Sequence, residues 1–255
     1  MKPSNRFWLN LGTVTRNKGG RYAMNKEKTV RIERFDCLPS TQEYAKSKRG
    51  EGQDLLVIAA SQTGGKGTKG RSFSSKVGGV YLTKLSFYEN FPAKEAFRIM
   101  ADTAVAICET LSAFGLEPKI KWPNDIYVQD KKICGILIEN VFSESCIASS
   151  LVGIGLNVSN PIPEELSSIA ITMADVISAP SVEAVTERLI QELGKGRRME
   201  QYLSYVGYMG REATLILDGE PVHGTLLSVD EAGGLHVEIN GERRRLTAAE
   251  VTVRI

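Results

Sequence analysis

Two segments of the sequence combine residue types that can bind and activate anions. Segment 62–71 reads Gln-Thr-Gly-Gly-Lys-Gly-Thr-Lys-Gly-Arg, so three cations alternate with glycines whose backbone can wrap closely around a ligand. Segment 121–125 reads Lys-Trp-Pro-Asn-Asp, and Lys132 follows Asp125 by seven residues. A short strand–turn–strand would bring Asp125 and Lys132 together. The two segments therefore predict a site that binds a carboxylate and a nucleotide phosphate at once.

The glycine-rich segment is also similar to two nucleotide-binding motifs. Gly65 to Gly70 satisfies the dinucleotide pattern Gly-x-Gly-x-x-Gly, and Gly65 to Ser72 differs from a P-loop by having Arg71 in place of lysine. Both alternatives need a helix directly after the glycines, because its first amides bind the phosphate. Ser- and Gly-rich sequence and then a strand-like run follow here, so neither nucleotide fold is predicted. A plain solvated turn remains an alternative on these residues alone.

Composition narrows the class of protein. The 255 residues are 42% hydrophobic and 24% charged, with a net charge of +2, which is ordinary for a globular protein and gives no basic surface for nucleic acid. No run approaches the roughly 20 apolar residues of a membrane helix. The four cysteines have no paired spacing, which argues against zinc or disulfides and favours a reducing cytoplasm. Neither histidine lies in the two segments, so histidine base catalysis is not expected.

Hydrophobic periodicity and turn residues predict the elements that position the two segments. Ser40 to Glu43 matches a capping box that begins a short helix. The clearest helix has apolar residues spaced by three or four and ends before Gly115. Strands are predicted by β-forming runs at 30–35, 55–60, 80–87, 126–128, 133–139 and 147–158, and helices at 92–114 and from about 181 to 205.

The two ends of the chain differ from the middle. Residues 1–28 are basic and lack a sustained apolar period, which predicts a disordered tail; organelle import through this tail stays open. From Arg211 onward, short alternating segments are separated by Asp218-Gly219, Gly233-Gly234 and Asn240-Gly241, which are hairpin signals. We therefore divide the chain into a tail (1–28), a catalytic domain (29–208) and a small β-barrel (209–255).

The order of these motifs resembles the biotin–protein ligase family. That family's loop reads Gly-Arg-Gly-Arg-Arg-Gly-Arg, and a Ser-Thr-Asn element precedes it, as Ser40-Thr41-Gln42 does here. Lys121 to Asp125 matches the second family signature in full. Lys132 to Leu137 matches Lys-x-x-Gly-Ile-Leu, and Gly153 to Val158 matches Gly-x-Gly-x-Asn-Val. The chain departs from the family at Gln42, Lys66, Thr68 and Phe73, where asparagine, arginine, arginine and tryptophan are usual.

The resemblance implies a fold and a reaction. The fold is α/β (α+β), a mixed, mainly antiparallel sheet with helices, like that of class II aminoacyl-tRNA synthetases, plus a C-terminal SH3-like barrel. The reaction joins biotin to ATP with Mg²⁺, giving biotinyl-5′-AMP, and then transfers biotin to a lysine of a biotin carboxyl carrier protein of acetyl-CoA carboxylase or a related carboxylase. A cytoplasmic enzyme that binds neither DNA nor membrane is expected, and a homodimer is left open.

The resemblance also assigns roles to residues. Lys132, Asp125 and Arg71 are the expected catalytic residues, with Asp125 either holding Mg²⁺ or accepting the proton of the acceptor lysine. The expected ligand-binding residues are Ser40, Thr41, Gln42, Gln62, Gly65, Lys66, Gly67, Thr68, Lys69, Phe73, Asn124, Lys132, Gly135, Gly155 and Asn157.

Three other functions fit the sequence less well than a biotin–protein ligase. A lipoate–protein ligase has the same fold, but it should carry an Arg-Arg-x-x-Gly-Gly-Gly-like element, which the sequence lacks. A repressor needs a winged helix, and residues 1–28 are too short for one, so the form without a DNA-binding domain is expected. A non-catalytic binding module is disfavoured because Lys132 and Asp125 are retained.

Overall fold

The computed structural model describes residues 2–16, 22–178, 180–195 and 199–254. Its strands are β1 Asn5–Arg16, β2 Tyr22–Phe35, β3 Leu55–Ala59, β4 Gly79–Pro92, β5 Lys119–Lys121, β6 Asp125–Val128, β7 Lys131–Ser143, β8 Cys146–Asn157, β9 Glu212–Leu217, β10 Glu220–Val229, β11 Leu235–Ile239, β12 Glu242–Leu246 and β13 Val251–Arg254. Its α-helices are α1 Thr41–Ser47, α2 Phe97–Ala113, α3 Val182–Leu193 and α4 Met199–Tyr205.

The first eight strands form one sheet in the order β1-β2-β3-β4-β8-β7-β6-β5. Strands β2 and β3 pair in parallel, and the other neighbours pair antiparallel. The predicted mixed, mainly antiparallel sheet is therefore confirmed. The hairpin of β7 and β8 lies between β4 and β6, and the pairing of β6 with β7 places Asp125 opposite Gly135, which in turn pairs with Gly155 on β8.

The helices cover the sheet and complete the core. Helix α2 buries Ala104, Ile107 and Leu111 at helical spacing, and its last residue is followed by Phe114 and then Gly115 at φ 83°. The helix predicted over 92–114 begins later, because Ala93–Glu95 forms a 3₁₀ turn after Pro92. The long helix predicted from about 181 to 205 is divided into α3 and α4, consistent with the helix-weakening Gly194.

The predicted disordered tail over residues 1–28 is wrong for the described part of that segment. Strand β1 pairs antiparallel with β2 from Asn5 opposite Arg34 onward. Phe7 and Leu9 pack against the core, and Arg6 forms an ion pair of 2.8 Å with the fully buried Glu33. Side chains of a strand alternate between two faces and show no helical period. The search for a sustained apolar period therefore missed this strand, and the basic composition suggested disorder instead. Residues 1 and 17–21 lie outside the described residues.

The C-terminal strands form a second antiparallel sheet in the order β12-β11-β10-β9-β13. Asp218 and Gly219 both have positive φ at the β9–β10 turn, as do Asn240 and Gly241 at the β11–β12 turn. These are the conformations that such hairpin turns need. The predicted five strands are confirmed.

None of the helices in the described part of the chain is long and apolar enough to cross a membrane.

Candidate functional site

A cleft lies between the start of α1, the glycine-rich loop and the strands β4, β7 and β8. Its polar and apolar walls come from distant parts of the sequence, which the sheet brings together. The described residues that line it are Ser40, Thr41, Gln42, Gln62, Lys66, Gly67, Thr68, Phe73, Thr83, Asn124, Asp125, Lys132, Gly135, Ile136, Leu137, Gly153, Ile154 and Gly155.

Lys132 and Asp125 form an ion pair in this cleft. Lys132 Nζ lies 2.6 Å from Asp125 Oδ1, and the two side chains are 31% and 24% exposed. The hairpin of β6 and β7 sets this contact: Asp125 lies opposite Gly135, and the register shifts between Ile126 and Tyr127. Asp125 therefore holds the Lys132 ammonium where a ligand can reach it.

The residues just before Asp125 are fixed by the backbone and by the core. Asn124 Nδ2 donates to the Ile136 carbonyl at 2.9 Å, and the Ile136 amide donates to the Asn124 carbonyl at 3.1 Å. Trp122 is 5% exposed, and its indole Nε1 donates to the Gly233 carbonyl in the C-terminal sheet at 3.0 Å. Trp122 is therefore part of the core and is not among the described residues that line the cleft.

Glycines form the floor of the cleft because side chains there would collide with its walls. A Cβ at Gly155 would lie 2.5 Å from the ring of Phe73, and one at Gly153 would lie 2.6 Å from Gln42 Oε1. A Cβ at Gly135 would be 3.2 Å from Lys132 Nζ. The two strands can thus approach the opposite wall closely only where side chains are absent.

Hydrogen bonds fix the polar end of the cleft. Gln62 Oε1 accepts from the Thr41 amide at 2.8 Å and from Thr41 Oγ1 at 3.0 Å, and Gln62 Nε2 donates to Ser75 Oγ at 2.8 Å. Thr83 Oγ1 donates to Thr41 Oγ1 at 2.9 Å. Ser40 is the N-cap of α1 and accepts from the Glu43 amide at 3.4 Å. Gln62 therefore anchors the loop to α1.

Backbone hydrogen bonds shape the glycine-rich loop. The Gly67 amide donates to the Arg71 carbonyl at 2.7 Å, and the Phe73 amide donates to the Gly65 carbonyl at 2.9 Å. A Cβ at Gly65 would lie 2.4 Å from the Phe73 carbonyl oxygen, so this position requires glycine. The loop is thus a closed turn rather than the start of a helix, as predicted from its sequence.

Only part of the loop's positive charge is directed into the cleft. Lys66 Nζ lies 2.7 Å from Glu43 Oε1, and this hydrogen bond raises the pKa of Lys66 and lowers that of Glu43. Arg71 Nη2 donates to Thr68 Oγ1 at 3.1 Å. Lys66 and Thr68 line the cleft, whereas Arg71 is not among its described lining residues.

Two further predicted residues are not among the described residues that line the cleft. Gly65 lies within the loop turn. Asn157 is buried, donating to the Ile171 carbonyl at 3.2 Å and accepting from Asn160 Nδ2 at 3.1 Å. The side chain of Lys69 lies outside the described residues.

Sequence reasoning missed part of the wall. Thr83, Ile136, Leu137 and Ile154 line the cleft but were not predicted as site residues. Thr83 carried a detectable signal, because a fully buried hydroxyl interrupts the apolar run of β4. Ile136 and Leu137 are part of the Lys-x-x-Gly-Ile-Leu match, which could have identified them, whereas Ile154 carried no signal because an apolar strand residue is equally typical of a core.

A second lysine, Lys121, interacts electrostatically with the Lys132–Asp125 ion pair. Lys121 Nζ lies 3.3 Å from the Tyr127 hydroxyl and 5.0 Å from the centre of its ring. Burial lowers the pKa of Lys121, with Asp125 acting in the opposite direction and Lys132 adding to the lowering. Burial also raises the pKa of Tyr127 to about 12, so its hydroxyl stays protonated at neutral pH. The area beside Lys132 is therefore cationic and partly dehydrated.

The described residues contain no cluster of three His, Cys, Asp or Glu side chains that could hold a metal ion. Asp125 is the one carboxylate among the described residues that line the cleft. Magnesium commonly binds through one or two carboxylates and substrate phosphates. Asp125 is therefore the residue of this cleft that would hold a magnesium ion.

The cleft combines the Lys132 cation with a floor of glycines, which lets a ligand approach the strands closely. At its polar end, amide and hydroxyl groups are held in place by hydrogen bonds. Such a cleft can hold an elongated molecule with its acid group beside Lys132 and a polar head at Thr41 and Gln42. Fold and site together define a protein that activates an organic acid.

Comparison with known proteins agrees with this class. Residues 34–157 match the model of the biotin/lipoate A/B protein ligase family. The bifunctional ligase/repressor BirA of Bacillus subtilis is 29% identical over 238 residues, covering 85% of this chain and 72% of that protein. The biotin–[acetyl-CoA-carboxylase] ligase of Mycobacterium tuberculosis is 24% identical over 216 residues, covering 77% of this chain and 78% of that protein.

A solved structure is similar over most of the chain. Biotin protein ligase from Aquifex aeolicus in complex with biotin and ATP superposes with a TM-score of 0.70 at 25% identity, covering 88% of this chain and 98% of that one. Over residues 34–157 the chain carries the domain of the biotin/lipoate A/B protein ligase family, and the similarity to the solved structure extends over most of the chain.

Proposed function

We propose that the protein is a biotin–protein ligase that makes biotinyl-5′-AMP from biotin and ATP and transfers biotin to a lysine of a biotin carboxyl carrier protein. The observation that carries this proposal is the Lys132–Asp125 pair in a glycine-floored cleft whose other end presents fixed polar groups. The similarity to proteins named as biotin ligases supports the choice of acid.

In the first step, two anions must meet. A carboxylate oxygen of biotin forms a bond to the α-phosphorus of ATP, and the bond from that phosphorus to the pyrophosphate oxygen breaks. Lys132 offsets the repulsion between the two reactants and stabilises charge that develops on the phosphate. Lys66 assists from the glycine-rich loop, where it lines the same cleft as Lys132.

Magnesium enters the reaction as part of the ATP substrate. When bound, it neutralises phosphate charge and orients the departing pyrophosphate. Asp125 is the residue that would hold such an ion, and Lys132 would bind the reacting carboxylate beside it.

In the second step, the amine of the acceptor lysine attacks the acyl carbon of the adenylate, and AMP leaves with the electrons of the broken acyl–oxygen bond. The amine is nucleophilic only when neutral, so its proton must be removed. Asp125 is our candidate for that base, since its carboxylate lies beside the expected acyl group.

The cleft suits biotin better than lipoate. Its polar end can pair with the ureido ring, whose amides would be costly to bury unpaired. Ile136, Leu137 and Ile154 provide apolar walls for the valeryl chain and the thioether. Lipoate has no ureido group for the polar end.

Three finer features belong to the same proposal. The C-terminal sheet closes into an SH3-like barrel, which its short strands and tight turns favour. The enzyme acts in the cytoplasm, where ATP and carrier proteins are available. The biotin carrier is that of acetyl-CoA carboxylase or a related carboxylase.

The test is transfer of biotin to a purified biotin carboxyl carrier domain, followed by mass spectrometry. The expected result is one added biotin that requires ATP and magnesium and is lost when the acceptor lysine is replaced by arginine. Modification with lipoate at an equal rate would contradict the assignment of biotin.

A further inference from the structure

Glu139 on β7 contacts the cleft residue Gln42 from outside the cleft. Gln42 Nε2 donates to Glu139 Oε1 at 3.3 Å, and Glu139 Oε2 forms an ion pair with Lys46 Nζ at 3.1 Å. Gln42 is only 3% exposed, so solvent offers its amide few alternative partners. Glu139 and Lys46 are not among the described residues that line the cleft.

This contact decides which end of the Gln42 amide faces the cleft. An ionised carboxylate only accepts hydrogen bonds, whereas a primary amide has a donor end and an acceptor end. The NH₂ group of Gln42 is therefore held on Glu139, and Oε1 points the other way. Oε1 lies 3.4 Å from Thr83 Oγ1, whose single proton is directed to Thr41 Oγ1 at 2.9 Å, and a Cβ at Gly153 would lie 2.6 Å from Oε1. Gly153 and Thr83 both line the cleft, so an acceptor is presented there.

The ion pair with Lys46 reinforces this orientation. Lys46 is 46% exposed and Glu139 is 34% exposed on its side chain, so the pair adds little stability by itself. Its effect is geometric, because it holds Glu139 Oε2 and leaves Oε1 for Gln42.

We infer that Glu139 is a positioning residue that selects the ligand through Gln42 by giving the polar end of the cleft an acceptor for an N–H group. This inference rests on the proposed function and specifies how its substrate is chosen. The ureido ring of biotin carries two N–H donors, whereas the dithiolane ring of lipoate carries none. With Gln42 reversed, its NH₂ would face a ligand N–H, and both donors would be buried without an acceptor.

The test compares dissociation constants for biotin and for ATP, measured by calorimetry on the full chain and on Glu139→Lys. The new ammonium donates to Gln42 Oε1 and turns the NH₂ group into the cleft. The Kd for biotin should rise about 10- to 100-fold, the effect of leaving a buried donor unpaired. The Kd for ATP should stay within about twofold, since ATP does not contact Gln42 in this account.

Glu144→Lys is the matched control. Glu144 is an exposed acid in the turn between β7 and β8. Its replacement by lysine makes the same change of charge in the same hairpin, but away from Gln42. Its biotin Kd should equal that of the wild type. Glu139→Gln provides a second variant should the lysine variant fail to fold. It keeps the size of the side chain but no longer dictates the amide orientation, and we expect at least about a fivefold rise in the biotin Kd.

The outcomes separate this inference from the proposed function. If the wild type does not bind biotin, the proposed function fails and the inference fails with it. If the wild type binds biotin but folded Glu139 variants bind it within twofold of the wild type, the inference alone is overturned. An equal loss of ATP affinity would likewise overturn it, because it would indicate general damage rather than reorientation of Gln42.

Discussion

At the scale of single residues, strand pairing and contacts within the loop decide which charged side chains reach the cleft. Strand pairing fixes the pair of Asp125 and Lys132, because β6 and β7 are joined by a tight turn in which Gln129 and Asp130 have positive φ. Arg71 was expected to be catalytic, yet its guanidinium contacts Thr68 within the loop. A loop sequence specifies which charges are present but not which wall each one faces.

Thr68 gives a prediction about retention of the intermediate. The related family has a long cation here, whereas Thr68 is neutral and its hydroxyl accepts from Arg71. We predict that Thr68→Arg slows release of biotinyl-adenylate about 10- to 150-fold, since one charge-assisted hydrogen bond contributes about 1.5–3 kcal/mol. The measurement is escape of labelled adenylate without acceptor protein.

Thr63→Arg is the control for that experiment, because Thr63 is exposed in the same segment and is not among the described lining residues. It should release the adenylate as fast as the wild type. Equal rates for Thr68→Arg and the wild type would mean that another residue already closes the loop over the adenylate.

At the scale of elements, turn residues in the sequence located most strands and helices, but two strands were not predicted. Strand β5 has only three residues, too few for a periodic signal. Strand β1 pairs with β2 across a segment that includes residues outside the described ranges, and its alternating residues Phe7 and Leu9 are only partly buried. Both strands are defined by partners elsewhere in the sheet rather than by their own composition.

Neighbouring residues on β1 test its packing. Phe7 packs against the core and lies 5.7 Å below the Arg34 guanidinium, whereas Trp8 is 54% exposed. We predict that Phe7→Ala lowers the free energy of unfolding by about 1–2 kcal/mol, as expected for a partly buried aromatic side chain. Trp8→Ala should change it by less than about 0.5 kcal/mol. Denaturant titration measures both, and equally small effects would restore the expectation of a disordered tail.

At the scale of the whole molecule, the C-terminal sheet contacts the segment that carries Asp125. Asp230 Oδ1 accepts from the amides of Ala232 and Gly234 at 3.0 and 2.9 Å, which shapes the turn between β10 and β11. The Gly233 carbonyl in that turn accepts from Trp122. The sequence predicted the sheet and the signature separately, but it gave no sign of this long-range contact.

Trp122→Phe tests the connection between the two sheets. Phenylalanine keeps much of the apolar volume but removes the indole donor, leaving the Gly233 carbonyl without that partner. We predict a loss of about 1–3 kcal/mol in the free energy of unfolding. Trp8→Phe makes the same substitution at an exposed site and should have almost no effect. Equal unfolding midpoints for the two variants would show that the indole hydrogen bond does not join the sheets.

The central claim is that this cleft joins biotin to ATP at Lys132, and pyrophosphate release measures it most directly. The wild type should release pyrophosphate with biotin and ATP but not with lipoate and ATP. Lys132→Ala should lose this activity by a factor of 100 or more, on the order of the 2.7–4 kcal/mol that one transition-state donor contributes. Lys131→Ala, at the adjacent lysine that donates to the Ser167 carbonyl, should retain it. Folded Lys132→Ala that releases pyrophosphate at the wild-type rate, or equal release with lipoate, would contradict the account.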